Sequence, residues 1–132
     1  MVNAINAAVS GFNAATQRLN VSASNIANTF STQTTQNGTT TNTPYVPLQL
    51  EQSTQVPAGG VTTHTAPITP PSIQVYDPNN VAANSNGLTN YPNVDQAQQL
   101  VQAQISRYDA QGNISVIKVQ DRLFQQVLNI VS

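Results

Sequence analysis

The sequence predicts a mainly α-helical fold, with two long terminal helices packed as a coiled-coil-like hairpin and a small, irregular, β-leaning middle arm. Apolar side chains recur every three or four residues near both termini, and the segment between them is rich in Thr, Asn and Pro. Charged residues make up only 7% of the chain, which leaves little repulsion between subunits. The predicted boundaries are 1–30 for the first helix, 31–92 for the arm and 93–132 for the second helix.

The first helix is predicted from Val2 to about Thr29 by an unbroken alternation of three- and four-residue gaps. Its apolar or small positions are Val2, Ile5, Val9, Phe12, Thr16, Leu19, Ala23, Ile26 and Phe30. Eight steps over 28 residues give a period of 3.5, which is that of a coiled coil. The neighbouring positions carry Ala, Asn, Ser and Gln in place of the usual charges, which favours the approach of several helices.

The second helix is predicted to begin near Asn93, as an N-cap with Gln96 three residues later and Asp95 in the first turn. Its apolar or small positions are Val94, Ala97, Val101, Ile105, Tyr108, Gly112, Val116, Val119, Leu123, Val127 and Ile130. Ten steps over 36 residues give a period of 3.6, that of a straight amphipathic helix. The pair Gly112-Asn113 is predicted to mark a bend or a close helix contact.

The middle arm is predicted to be extended and to have little core of its own. Ser31–Thr43 is too polar to bury and is expected to be a flexible loop. Short strands are expected at 45–50, 61–65 and 73–76, and turns at 77–80 and 86–87. Because Pro44 and Pro47 cannot donate to a ladder, the first of these strands is expected at a sheet edge.

Composition argues against several classes of function. The net charge is −1 and only four residues are Lys or Arg, too few to neutralise a nucleic-acid backbone. The chain has no cysteine, which excludes thiol nucleophiles, disulfides and cysteine-ligated zinc. No run approaches the roughly 18 apolar residues of a spanning helix, so no transmembrane segment is expected. The N-terminus lacks the pattern of a secretory signal peptide, so any export is expected to proceed without a cleaved signal.

No residues have the spacing of a catalytic or metal site. The single histidine, His64, is interpreted as an exposed side chain because neither a cysteine nor a near carboxylate accompanies it. Asp77 precedes a proline and is interpreted as a turn residue. Arg18 and Arg107, beside the apolar stripes, are interpreted as solvated side chains rather than specific interface contacts. We therefore expect no enzyme activity, cofactor, metal or small-molecule substrate.

Two helices of this kind pose a packing problem, because a hairpin buries one stripe on each helix and leaves further apolar surface exposed. Packing between chains solves it, which predicts a self-assembling structural subunit. The predicted assembly-interface residues are Ile5, Phe12, Leu19, Ile26, Val101, Ile105, Leu123, Val127 and Ile130. The alternative for the same residues is the core of the hairpin within one chain, and the sequence favours neither.

Two parts of the chain resemble a known family. Residues 10–29, a small-residue helix with Arg18-Leu19 and then Asn25-Ile26-Ala27-Asn28, resemble the N-terminal signature of bacterial flagellar rod and hook proteins. The segments Val75-Tyr76-Asp77-Pro78-Asn79, Asn86-Gly87 and Tyr91-Pro92-Asn93-Val94 resemble the region before the last helix of the FlgC-like proximal rod proteins. The first resemblance indicates the rod and hook proteins in general, and the second indicates the FlgC-like members among them.

The sequence also departs from that family. Gln99-Leu100 stands where members usually have Glu-Met, and Pro44-Tyr45-Val46-Pro47 stands where an Arg- or Lys-bearing strand is usual. The loop 31–43 is longer than expected. These differences indicate a divergent lineage or a paralogue, and they affect the contacts of the arm more than the overall role.

The resemblance implies a structural subunit of the periplasmic basal-body rod that transmits torque from motor to hook. Its implied partners are copies of itself, other rod subunits and the flagellar type III export apparatus. One alternative is another flagellar axial protein of the rod or hook type, which the segment 91–94 argues against. Another is a secreted, Thr/Asn-rich surface fibre or adhesin subunit with coiled-coil ends.

Overall fold

The fold is a helical hairpin with a β-arm, seen in a computed structural model that describes residues 2–36, 39–55 and 59–131. The long helices are α1 (Val2–Ala27) and α2 (Gln96–Val131). Between them the described chain forms three two-stranded antiparallel sheets. These pair β1 (Thr34–Gln36) with β2 (Thr39–Thr41), β3 (Leu48–Thr54) with β4 (Val61–Pro67), and β5 (Ser72–Tyr76) with β6 (Leu88–Pro92). The prediction of two packed helices around a β-containing middle is confirmed.

The side of α1 that meets α2 consists of small and polar side chains. Gly11 lies against Asn113, and Asn25 donates a hydrogen bond to Gln99, so the helices run antiparallel. We call the residues of α1 on this side its inner seam: Ala8, Gly11, Ala15, Arg18, Ser22 and Asn25. Their gaps alternate three and four, as predicted, but each residue stands one position before a residue of the predicted apolar stripe.

The facing side of α2 is equally polar. Its inner seam contains Gln99, Ser106, Asn113 and Gln120, which follow one another at intervals of seven residues. Ser106 is fully buried and Gln120 nearly so. Here each inner residue stands close after a residue of the predicted stripe, as Ser106 follows Ile105 and Asn113 follows Gly112. The two helices pack as predicted, but small residues and amides form their contact instead of the predicted apolar stripes.

The start of α2 differs from the prediction of a cap at Asn93. The Oδ1 atom of Asp95 accepts a hydrogen bond of 3.1 Å from the backbone N–H of Gln98, which makes Asp95 the N-cap. Asn93 instead donates to the carbonyl of Pro70 at 2.9 Å and belongs to the arm. The prediction was wrong because both residues are good caps, and the tertiary bond to Pro70 decides between them.

The arm has more regular structure than predicted. The loop expected at 31–43 contains the β1–β2 hairpin, whose strands pair through their backbones and need no apolar side chains. The strand expected at 45–50 begins only at Leu48, after the two prolines that lack an N–H. β6 was not predicted, because Leu88–Pro92 has little apolar alternation. The expected strands at 61–65 and 73–76 lie within β4 and β5.

Neither α1 nor α2, nor any other helix in the described ranges, is long and apolar enough to cross a lipid bilayer.

The close approach at Gly11 generates a prediction. A Cβ atom there would lie 2.8 Å from the Asn113 side chain, whereas among described residues nothing lies within 4 Å of a Cβ at Gly112. Gly11→Leu should therefore displace the Asn113 side chain, overpack the contact between the helices and lower the free energy of unfolding by about 1–3 kcal/mol. The matched variant Gly112→Leu should raise it by up to about 1 kcal/mol through helix propensity. Urea unfolding followed by circular dichroism measures both, and equal effects would contradict the close approach.

Candidate assembly surface

The titratable residues of the described chain do not converge on a catalytic centre. His64 is exposed, as predicted, and its Nε2 lies 3.7 Å from Oε2 of Glu51, which stands opposite it on β3. No three His, Cys, Asp or Glu side chains among the described residues are grouped as a metal site would require. The shallow clefts are lined mainly by Gln, Ser, Thr and small apolar residues.

Asp77 and Tyr91 form a structural lock in the arm. Asp77 begins a turn, as predicted, and its Oδ2 accepts a 2.6 Å hydrogen bond from the Tyr91 hydroxyl. Asn80 donates to the same hydroxyl at 3.1 Å and accepts a hydrogen bond from Thr32, just beyond α1. This chain of bonds links the β5–β6 sheet to the segment that follows α1. The bond to Asp77 raises the pKa of Tyr91, since it stabilises the neutral phenol.

Asn25 joins three parts of the molecule through one fully buried amide. Its Nδ2 donates to the carbonyl of Leu48 at 2.7 Å and to Oε1 of Gln99 at 3.2 Å. Its Oδ1 accepts from the N–H of Leu48 at 3.0 Å and from the hydroxyl of Tyr45 at 3.1 Å. Both donors and both acceptor sites of the amide are therefore used. This role was not predicted, although Asn25 opens the Asn-Ile-Ala-Asn motif.

Arg18 makes a specific contact, which corrects its interpretation as a solvated side chain. Its guanidinium lies 3.1 Å from Oδ2 of Asp109 and links α1 to α2. The Arg18 side chain is only 18% exposed, whereas that of Asp109 is half exposed. The pair fixes the alignment of the helices more than it adds stability, because solvent screens a half-exposed carboxylate.

The predicted assembly-interface residues do not form the core of the hairpin. Six of the nine are exposed, from 38% at Leu19 to 83% at Ile130. The other exposed members are Val101, Ile105, Leu123 and Val127, while Ile5, Phe12 and Ile26 are half-buried. We call the predicted apolar or small positions of each helix its outer stripe. On α1 these are Ile5, Val9, Phe12, Thr16, Leu19, Ala23 and Ile26, and on α2 they are Val101, Ile105, Tyr108, Gly112, Val116, Val119, Leu123, Val127 and Ile130. Their contacts with other subunits stay a prediction.

The C-terminal turns of α2 add to this surface. Gly11 lies against Asn113, so Val2, nine residues nearer the start of α1, lies opposite about residue 122. α2 continues for another nine residues to Val131. This overhang carries the exposed residues Leu123, Phe124, Val127, Leu128 and Ile130. Since α1 does not cover them, their burial requires a neighbouring molecule.

Part of α1 and the segment after it are similar to a known protein family. Residues 5–33 match the family described as "Flagella basal body rod protein". This is a family of structural rod components and not an enzyme family. A search of curated proteins gives no match. The matched region contains α1 from Ile5 onward, including Asn25, and most of the segment that leads to β1.

The Asn25 junction generates a prediction. Asn25→Ala leaves the Leu48 backbone groups and the Gln99 amide without their partner in a buried site. We expect the free energy of unfolding to fall by roughly 2–4 kcal/mol. The matched variant Asn13→Ala, at an exposed position of the same helix, should have little effect or raise it slightly. A urea unfolding midpoint for Asn25→Ala equal to that of Asn13→Ala would contradict the assignment.

The Asp77–Tyr91 bond generates a prediction about pH. The folded-state pKa of Tyr91 exceeds its ordinary value of about 10, so the bond stabilises the fold below that pH and is lost as pH rises through the folded-state pKa. Asp77→Ala should lower the pKa of Tyr91, whereas Asn80→Ala should raise it, because the Asn80 bond favours the phenolate. A ¹³C titration of the Tyr91 ring measures both, and shifts in the same direction would disagree with this geometry.

Proposed function

Because residues 5–33 carry the N-terminal segment of the flagella basal body rod family, we propose that the chain is a structural subunit of the flagellar rod. The proposal rests mainly on one observation: the hairpin buries small and polar residues and turns its large apolar side chains outward. A subunit that folded only for itself would bury them. Exposed large apolar side chains are instead typical of a subunit that buries them against its neighbours in an assembly.

The finer proposal is an FlgC-like subunit of the proximal rod, supported by the segments 75–79 and 91–94. The first segment provides Asp77 and the second provides Tyr91, which bond to each other and orient the arm. The chain would leave the cytoplasm through the flagellar type III apparatus and join copies of itself and other rod subunits in the periplasm. Terminal helices would form the tube, and the arm would stiffen it for torque.

Assembly in this proposal works through burial of the outer stripes. Each large aliphatic side chain that passes from water into a helix interface contributes about 1.5–3 kcal/mol when fully buried. Several such side chains outweigh the cost of ordering the subunit, although one contact alone does not. The scarcity of charge on the helices lets copies approach without strong repulsion.

The proposal predicts that Leu19→Asp or Leu123→Asp abolishes rod assembly while export continues. Both side chains lie on outer stripes, so a buried, unpaired carboxylate would oppose packing between subunits. In the source bacterium, motility and purified basal bodies report assembly, and secreted protein reports export.

The matched controls are Asn13→Asp on α1 and Gln111→Asp on α2, which add the same charge at exposed positions away from the stripes. Both controls should support normal rods. Normal rods that contain Leu19→Asp or Leu123→Asp would defeat the proposal.

A further inference from the structure

The outer stripes of the two helices lie on opposite sides of the hairpin. On α1 the six stripe residues from Val9 to Ile26 each follow an inner-seam residue by one position, and on α2 Ile105, Gly112 and Val119 each precede one by one position. One position is a rotation of about 100° around a helix. The stripe is reached by one step forward from the inner seam on α1 and by one step backward on α2. Because the helices are antiparallel, an observer at one end of the hairpin sees both steps as rotations in the same direction. The inner seams point toward each other, so equal rotations turn the stripes to opposite sides.

This arrangement favours one kind of pairing between copies. A two-fold dimer would bring identical patches together and leave the other stripe of each copy exposed. A head-to-tail contact uses both stripes of every copy. We infer that the outer stripe of α1 in one copy packs against the outer stripe of α2 in the next, a pairing that rests on the proposed assembly function.

The alignment of the contact follows from the hairpin itself. Within the chain, Gly11 faces Asn113 and Asn25 faces Gln99, and the residue numbers of each pair add up to 124. If the next copy is placed without an axial shift, its α1 meets this α2 in the same alignment. The facing pairs are then Ile5 with Val119, Phe12 with Gly112, Thr16 with Tyr108, Leu19 with Ile105, and Ala23 with Val101.

The sizes of these side chains are complementary in that alignment. The aromatic ring of Phe12 meets Gly112, where a Cβ atom would find no described atom within 4 Å. Gly112 also lines a groove bounded by α1, α2 and the β3–β4 sheet, to which α1 contributes Gly11 and Ala15 and the sheet contributes Gln52 and Val61. Tyr108 meets the small residue Thr16, and no facing residue is charged. The ring of Phe12 therefore enters the groove of the neighbouring copy, as a knob enters a hole.

The area of the contact explains why the occupant is a repeating copy rather than one dimer partner. A helix of 26 residues is about 39 Å long and about 10 Å wide, so it covers on the order of 400 Å² on each partner. The total of about 800 Å² is below the roughly 1,200 Å² of a stable isolated interface. Each copy is stably held only when both of its sides are occupied.

The test uses the absence of cysteine from the chain. Single variants Leu19→Cys and Ile105→Cys, with tags of different size, are mixed at high concentration under mild oxidation. Mixed α1–α2 disulfides should exceed both homodimers at least about tenfold, since a disulfide forms only when the Cα atoms are within about 7 Å. The double variant should give a ladder of oligomers. Asn13→Cys with Gln111→Cys, both exposed and off the stripes, is the matched control pair.

The cross-links discriminate between the possible contacts. Predominant Ile105→Cys homodimers would establish two-fold pairing and overturn the inference, as would cross-linking no faster than in the control pair. The rod role is read separately, from motility and basal bodies of the source bacterium with the unmodified chain deleted and restored. Mixed cross-links without a rod defect refute the proposed function alone, and a rod defect with Ile105→Cys homodimers refutes the head-to-tail contact alone.

A second variant tests the proposed hole at Gly112. Gly112→Leu should leave the circular dichroism and urea midpoint of the monomer unchanged or raised, yet slow mixed cross-linking at least about tenfold, since the added side chain overpacks the site that Phe12 of the neighbouring copy fills. Adding Phe12→Ala in the same chain should restore much of the rate of mixed cross-linking. In that double variant the large side chain at position 112 of one copy faces the small side chain at position 12 of the next. Unchanged cross-linking in Gly112→Leu would overturn the alignment.

Discussion

The fold depends on a buried amide that has no spare hydrogen-bonding capacity. Asn25 bonds the backbone of Leu48 in both directions and bonds Gln99 and Tyr45 as well. A polar group without partners would be costly in this position, so the amide accepts only one arrangement of the two helices and the first strand of the β3–β4 sheet. The Asp77–Tyr91–Asn80–Thr32 lock then orients the rest of the arm from the same end of α1.

The residues that align the two helices and the exposed large apolar residues thus lie on different faces of each helix. The inner seams select alignment through Gly11, Asn25 and the Arg18–Asp109 pair, but they bury little large apolar surface. They are also imperfect, because within the described chain the buried Nε2 of Gln120 lacks a hydrogen-bond partner. The greater part of the apolar surface remains available outside. A hairpin built in this way buries little large apolar surface within one chain, and the proposed assembly would bury more of it.

Much of the secondary structure follows from the sequence. Spacing of 3.5 and 3.6 residues predicts both helices, and the first boundaries at Val2 and near Thr29 differ little from those of α1. Prolines and turn residues locate β4, β5 and the turn at Asp77. Where two local signals compete, the sequence does not determine the start of a helix. Asn93 and Asp95 are both good N-caps, and Asp95 caps α2 because Asn93 is bonded to the carbonyl of Pro70. The β1–β2 hairpin, held by backbone pairing, leaves no apolar signal to find.

By itself, the sequence determined that each terminus forms a helix with an apolar stripe, and it predicted that these stripes pack against partners. It did not determine which side of each helix faces the other. Hydrophobic periodicity favours the stripe, but the structure places the neighbouring residues inside, one position before it on α1 and close after it on α2. The reason is physical: Gly11 leaves room for the Asn113 side chain, and the Asn25 amide is satisfied by Gln99 and Leu48 in that alignment. Both conditions involve residues far apart in the chain.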